Sequence, residues 1–354
     1  MNRVLIPSDS VEAVANLASG YRCLGFDATG GHINFELETG DFDLIHVLWP
    51  EEFTSWRVPT SAQIDEVLKR LDRWMKRSHL IITVNNLYPH RAPNDPQFHR
   101  LYTGFYERAA VIHHFSHTSK DRICREYPSI AGKNHIVRLG FNYERLLPPV
   151  PCSRGLARRG LGVASDDIAF LVLGSLRFWQ EALLLRRGFA RARVAKKRLL
   201  LVTDYVEYGP LWRQRWRRWQ WRRWQRSDGV RLVGEWVPEE DLPNLFVAAD
   251  AVIVVRQHSL TSGVPSMAMT FGRFIIAPNV GSTPEFLSGT DNAVYDPNSA
   301  EDLARAIERA AVADRDRVGR ENARIAAGWG WTEIVRTCLS ALPSDCRTTA
   351  FKAT

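Results

Sequence analysis

No stretch of this 354-residue chain approaches the roughly 20 consecutive apolar residues needed to cross a bilayer. Its opening, MNRVLIPSDS, has neither a basic n-region nor a long apolar run, so neither a membrane-spanning helix nor a signal peptide is expected. The five cysteines, Cys23, Cys124, Cys152, Cys338 and Cys346, are odd in number and scattered, without CxxC or CxxH spacing. That argues against a disulfide framework and a structural zinc site and points to a reducing cytoplasm. Repeats of solenoid period are also missing. With 45% hydrophobic and 24% charged residues, the composition is that of a folded globular protein rather than a disordered one.

What is present is enough chain for two cores of comparable size. Short apolar runs alternate with helix-like segments, the pattern of α/β domains with parallel sheets. In the first half, strands are expected at Arg3 to Pro7, Leu44 to Trp49, Leu80 to Asn85, Ala110 to His114 and His135 to Leu139. Thr60 to Arg77 spaces Ile64, Val67, Leu68, Leu71, Trp74 and Met75 as one helical face, and Asn94 to Arg108 reads as a second helix. Three prolines in Leu147 to Ser153 break the pattern and mark a linker. The alternation then restarts with strands at Ile168 to Leu173, Arg198 to Thr203, Val230 to Val233, Ala251 to Val255 and Phe274 to Ala277. Helices are expected up to Ala195, at Pro238 to Ala248 and at Pro265 to Phe271. Two serial Rossmann-like units follow, 1–150 and 151–328, with 329–354 as a terminal helix and tail.

Forty-seven basic residues against thirty-nine acidic ones give a formal charge of +8, and seven arginines lie between Trp212 and Arg226 alone. Such a field attracts phosphate. In WRQRWRRWQWRRWQR, Trp212, Trp216 and Trp219 fall in one helical stripe, from which Trp221 and Trp224 depart. Three readings stand: the stripe packs on its own domain, the segment meets an anionic lipid headgroup layer, or it stacks single-stranded nucleic acid. Membrane contact is the partner expected, with no nucleic acid.

The sharpest stretch is RQHSLTSGVPSMAMTFGRFIIAPNVGSTPEF, Arg256 to Phe286. A strand ends, a polar loop with Ser259, Thr261, Ser262 and Gly263 follows, and a small-residue helix starts near Pro265. Free N–H groups and the positive helix end suit that loop to a diphosphate. The turn from Gly281 to Glu285 then brings a carboxylate toward the same crevice.

This stretch resembles the donor-binding segment of retaining, family-four-type GT-B glycosyltransferases, with Ser262, Gly263, Met267, Gly272, Gly281 and Glu285 at matching positions. Ser262 and Met267 stand where that family carries a glutamate pair. FLVLGSLRFWQEALLLRRGF is similar to the family's first donor-domain strand and loop; there Gly174 and Ser175 precede Arg177, which matches the diphosphate arginine, while Gln180 stands near the usual lysine. VRLVGEWVPEEDLPNLFVAADAVIVV resembles the base-binding strand and helix, with Trp236 near the nucleobase, and GWGWTEIVRTCLSAL resembles the terminal crossover helix. IHVLWPEEF, ITVNNLYPHR and AAVIHHFSHTSKDRICREYP resemble the N-terminal half of a branch that assembles bacterial polysaccharides, with Asn85 where histidine is usual and Asn86 as a match.

The resemblance implies a GT-B fold: two Rossmann-like domains facing a central cleft, with a helix crossing back at the C-terminus. It implies transfer of a sugar from a nucleotide-sugar donor to a glycan or lipid-linked acceptor, with no cofactor beyond that co-substrate and no metal. Donor contacts are then expected from Gly174, Ser175, Arg177, Trp236, His258, Thr261, Ser262, Gly263 and Glu285. Acceptor-side candidates are His46 and Glu51, on either side of a strand end, and Asn86 and His90, which follow another. Arg177 and the helix end at Ser262 would meet the charge growing on the leaving diphosphate. A retaining course lets that phosphate take the acceptor's proton, whereas inversion needs Glu51 or His90 as base. Catalytic candidates are therefore Glu51, His90, Arg177 and Glu285. Asp41-Phe42-Asp43 has the form of a DxD metal motif but reads as a strand start, and Gly30-Gly31-His32, with no helix pattern after it, reads as a turn. The rival is a catalytically inactive transferase-like scaffold that binds membrane or nucleic acid through the Trp/Arg segment.

Overall fold

The computed structural model describes residues 2–89, 95–148, 153–204 and 210–344. It consists of two compact units, Met1–Phe141 with Trp329–Thr354, and Asn142–Gly328. The divide thus falls ahead of the proline-rich stretch expected to hold it. Hydrogen bonds explain why: the Asn142 amide donates to the Ala326 carbonyl at 3.2 Å and the Tyr143 N–H to the Thr270 hydroxyl at 3.2 Å, committing both residues to the second unit.

The first unit runs β1 (Arg3–Ile6), α1 (Val11–Cys23), β2 (Asp27–Gly30), α2 (Ile33–Leu37), β3 (Leu44–Val47), α3 (Ser61–Trp74), β4 (His79–Val84), α4 (Pro96–Arg108), β5 (Val111–His114), α5 (His117–Glu126) and β6 (His135–Val137). Its six strands are all parallel, in the order β2-β1-β3-β4-β5-β6. Helices cover the sheet, so central strands such as β3 and β5 are buried along their whole length. Helix α3 starts at a capping box, with Thr60 and Gln63 each serving the other's backbone N–H, and buries Ile64, Val67, Leu71 and Trp74. Helix α4 starts at Asp95, whose carboxylate accepts from the Gln97 N–H, with Pro96 at the first helical position.

The second unit runs α6 (Arg154–Gly160), β7 (Ile168–Leu173), α7 (Trp179–Arg191), β8 (Lys197–Val202), α8 (Leu211–Gln225), β9 (Val230–Gly234), α9 (Leu242–Ala248), β10 (Ala251–Ile253), α10 (Gly263–Thr270), β11 (Phe274–Pro278), α11 (Thr283–Phe286), β12 (Ala293–Tyr295), α12 (Ala300–Val312) and α13 (Arg315–Ala327). Its parallel sheet has the order β12-β11-β10-β7-β8-β9, the doubly wound Rossmann arrangement. The chain then re-enters the first unit as α14 (Trp331–Ser340), which packs on α1 and sets the Trp331 ring 5.7 Å from Phe141 and 6.2 Å from Phe115.

Two edge strands escape the hydrophobic pattern: β2 reads Asp-Ala-Thr-Gly, with one apolar residue, and β12 is only Ala-Val-Tyr with its valine exposed. Gly30-Gly31-His32 is not a bare turn: His32 leads directly into α2. Among the described residues no helix is long and apolar enough to cross a membrane.

Candidate functional site

In the second sheet β7 and β10 are neighbours although β8 and β9 come between them in sequence. The connections leave these two strands toward opposite edges, opening a crevice at their carboxyl ends. Three loops meet there. The first follows β7 and holds Gly174, Ser175 and Arg177. Gly174 has φ +91°, and a Cβ on it would lie 3.3 Å from the Arg256 guanidinium. The second follows β10, from Arg256 through His258, Thr261 and Ser262 to the first turn of α10. Ser262 is its N-cap without any side-chain cap bond, which leaves the N–H groups at the start of α10 to meet an acceptor from outside. The third loop follows β11 and carries Gly281, Ser282 and, in α11, Glu285.

Specific bonds tie the loops into one body. The Ser282 N–H donates to the Leu260 carbonyl at 2.8 Å, and the Ser282 and Thr261 hydroxyls lie 3.2 Å apart. Gly281, at φ +58°, is where the backbones touch: a Cβ there would sit 2.3 Å from the Ser259 carbonyl oxygen. The edge of the His258 ring meets Phe178 of the first loop at 5.9 Å.

The strongest tie is a residue that sequence reasoning missed. Glu181, fully buried in the first turn of α7, accepts from the Arg177 N–H at 2.8 Å and the Phe178 N–H at 3.4 Å. Its other oxygen accepts from the Gln257 N–H at 3.2 Å, and the Arg256 guanidinium is 3.8 Å away. One carboxylate therefore pins both switch-point loops and faces the buried arginine, whose own pKa burial pulls below the usual range. The signal was available, since Glu181 stands three residues after Phe178, the N3 position that reaches back to a helix's first N–H groups.

Of the residues expected to contact a donor, Gly174, Ser175, Arg177, His258, Thr261, Ser262, Gly263 and Glu285 lie on the segments that follow the neighbouring strands β7, β10 and β11. Trp236 stands apart, 75% exposed beyond edge strand β9. Two strand spacings separate β9 from β7, about 10 Å.

The first unit presents a different picture. Its order places the switch point between β1 and β3. His46 lies within β3, entirely buried, with its ring nitrogens 2.9 Å from the Tyr21 hydroxyl and 2.8 Å from the Thr83 hydroxyl. Burial, assisted by neighbouring His113, pushes its pKa down to about 3. The expectation that His46 touches an acceptor is thereby corrected: it is a neutral, hydrogen-bonded core histidine. Glu51, in the 3₁₀ turn Pro50–Thr54, is also fully buried. The Tyr102 hydroxyl donates to it at 2.5 Å and the Asn86 amide at 3.3 Å. Desolvation outweighs both bonds and pushes its pKa up to about 7. A sealed carboxyl cannot meet an acceptor directly, so Glu51 orients the half-buried Asn86 instead. His90 lies outside the described residues. Asp43, half of the DxD pattern, accepts from the Arg3 N–H at 2.8 Å, as a strand-start residue does.

Residues 167–312 match the family described as glycosyl transferases group 1. No curated protein matches the chain. Among solved structures, sucrose-phosphate synthase from Thermosynechococcus elongatus is similar at TM-score 0.71 and 17% identity, over 95% of this chain and 97% of that one. HepE of Anabaena in complex with UDP-glucose is similar at TM-score 0.70 and 16% identity, over 97% and 100%. An E. coli structure described as trehalose-6-phosphate bound with UDP-2-fluoro glucose follows at TM-score 0.70 and 8% identity, over 96% and 99%. The likenesses are of fold, and the fold is the GT-B arrangement of two Rossmann-like units. The chain thus has the GT-B fold, and the stretch that matches the group 1 glycosyl transferases, residues 167–312, lies within its second unit.

Proposed function

We propose that the second unit binds a nucleotide diphosphate-sugar and that the protein transfers the sugar, without a metal ion, to a glycan or lipid-linked acceptor at the cytoplasmic face of a membrane. The observation that supports this reading is that the segments bearing Arg177, the start of α10 and Glu285 follow the adjacent parallel strands β7, β10 and β11 at the switch point, with no side-chain cap on α10. Positive charge and backbone N–H groups aimed at one crevice suit a leaving diphosphate. The roughly 10 Å from β7 to the loop after β9 suits a nucleoside that reaches from that diphosphate to Trp236. The complexes of HepE with UDP-glucose and of the E. coli protein with UDP-2-fluoro glucose support a UDP-sugar as the first donor to test.

In the reaction so read, the bond from the anomeric carbon to the phosphate oxygen breaks and a bond to the acceptor oxygen forms. Glu51 is sealed, so the reading assigns the acceptor's proton to the departing phosphate, as in a retaining, front-face course. Arg177 and the α10 N–H groups hold the charge that develops. The replacement of the family's glutamate pair by Ser262 and Met267 favours one competing reading, a scaffold that binds donor without transfer.

A thermal-shift screen against UDP-, GDP- and ADP-sugars tests the donor site, because a ligand at about 100 times its Kd adds about 2.7 kcal/mol of stability. Release of the nucleotide diphosphate, followed with chelator and with added manganese, separates transferase from scaffold and should be equal in the two conditions. Stabilisation without release favours the scaffold, loss of turnover on chelation sinks metal independence, and no stabilisation by any sugar nucleotide sinks the whole reading.

A further inference from the structure

Helix α8 is held by one face and shows an unlike face to solvent. Trp221 and Trp224 are only 6% and 9% exposed and belong to the hydrophobic core of the second unit. Beside them, the Arg217 guanidinium lies 5.4 Å from the centre of the Trp179 ring. Trp212, Trp216 and Trp219 are instead 67%, 52% and 59% exposed. At about 100° per residue these three fall within roughly 60° of one another, turned away from Trp221. The stripe that helical spacing groups together is thus the outward one, and the two tryptophans that break the spacing are the anchors.

Charge is as lopsided as polarity. No acidic residue lies between Leu211 and Gln225, and Arg213, Arg215, Arg218, Arg222 and Arg223 are all exposed. Among the described residues none of these five is paired with a carboxylate. Like charges one helical turn apart repel, so the arrangement is relieved by anions from outside. Against α7 the helix forms two shallow hollows of about 340 and about 270 Å³. Arg186 borders both, with Arg187 and Trp216 in the first and Trp219 and Arg223 in the second.

We propose that this face of α8, with the α7 hollows, docks on an anionic phospholipid bilayer, its tryptophans in the headgroup layer and its arginines on lipid phosphates. Tryptophan and arginine side by side on an exposed helix face match the two demands of that layer, amphipathic rings and positive charge. A second copy of the chain fits less well, because two such helices would bring arginines against arginines. The inference deepens the lipid-linked acceptor reading, on which its setting rests, by naming the surface that would bring the donor unit to such an acceptor.

The test spins the full-length protein with vesicles of phosphatidylcholine alone and of phosphatidylcholine mixed with phosphatidylglycerol, at low and high salt. Two variants accompany it: Trp212→Ser with Trp216→Ser and Trp219→Ser, and Arg213→Gln with Arg218→Gln, Arg222→Gln and Arg223→Gln. The wild type should pellet with the anionic vesicles in a salt-sensitive way, and each variant should do so about tenfold less or weaker still, with an unchanged thermal midpoint. Equal pelleting with both lipids, none with either, or variants that match the wild type would overturn the proposal. So would release of the wild type from anionic vesicles by single-stranded RNA while the same RNA binds the protein tightly in free solution. The donor reading fails separately: a protein that pellets as expected but is stabilised by no sugar nucleotide keeps the docking surface and loses the transferase.

Discussion

Both units are built on a six-stranded parallel sheet, with the order reversing at β1/β3 in one and at β7/β10 in the other, and they differ in what they do with the polar residues around their strand ends. In the first, buried His46 bonds to Thr83 and buried Glu51 to Tyr102 of α4, and burial pushes His46 toward its neutral form and Glu51 toward its protonated one. In the second, the strand ends give way to glycine-containing loops, and a single buried carboxylate, Glu181, ties two of them together by accepting from the Arg177 and Gln257 N–H groups. A polar side chain next to a strand end is therefore weak evidence of a ligand contact. Loops that run backbone against backbone at a switch point are stronger evidence, because a ligand is what an N–H left unpaired there can meet.

Removing Glu181 should break this contrast hardest. Glu181→Ala leaves Arg256 buried without its carboxylate and three backbone donors without their acceptor, which should cost about 3 to 5 kcal/mol of stability and loosen both loops. Chemical denaturation with and without UDP-sugar reads both effects. A loss under about 1 kcal/mol would show that the loops hold themselves.

Glu51 offers a test of the first unit through pH. In the native protein it keeps its proton up to about pH 7, while in the unfolded chain it would lose that proton near the ordinary glutamate value. The native state then binds the extra proton between those values, so Glu51 lowers stability as pH rises through the window and leaves it lowered above pH 7. Glu51→Gln abolishes that slope. Its stability relative to wild type should climb from about pH 5 to pH 8, by an amount on the order of 3 kcal/mol, in denaturation midpoints taken across the range. A difference that stays flat with pH would mean that Glu51 is ionised in its pocket.

The smallest effect sharpens the comparison most. Arg177→Ala should weaken sugar-nucleotide binding by about 1.5 to 3 kcal/mol in calorimetry, roughly ten- to a hundredfold, with the fold retained by circular dichroism. Unchanged affinity in a folded variant takes Arg177 out of the site.

Local pattern and punctuation determined much of this protein. Runs such as Ile168 to Leu173 and Phe274 to Ala277, buried on both sides in a parallel sheet, read as strands without help, and the strand, polar loop and small-residue helix around Ser262 were legible as such. The edges β2 and β12 were not legible, because Asp-Ala-Thr-Gly and a lone Ala-Val-Tyr carry too little hydrophobic signal. Which way a side chain faces was decided only in three dimensions. His46 alternates with apolar residues and sits just before a strand end, which fits a ligand contact and a core bond equally, and Tyr21 and Thr83, distant in sequence, settle it as core. Helical spacing grouped Trp212, Trp216 and Trp219 correctly but could not tell inside from outside, since the answer depends on where α7 and the core of the second unit lie. Glu181 shows the same limit from the other side: its place in a helix's first turn is local, whereas the partners that give it weight, Gln257 and Arg256, arrive from the loop after β10, three strands on from β7, brought beside it by the sheet order.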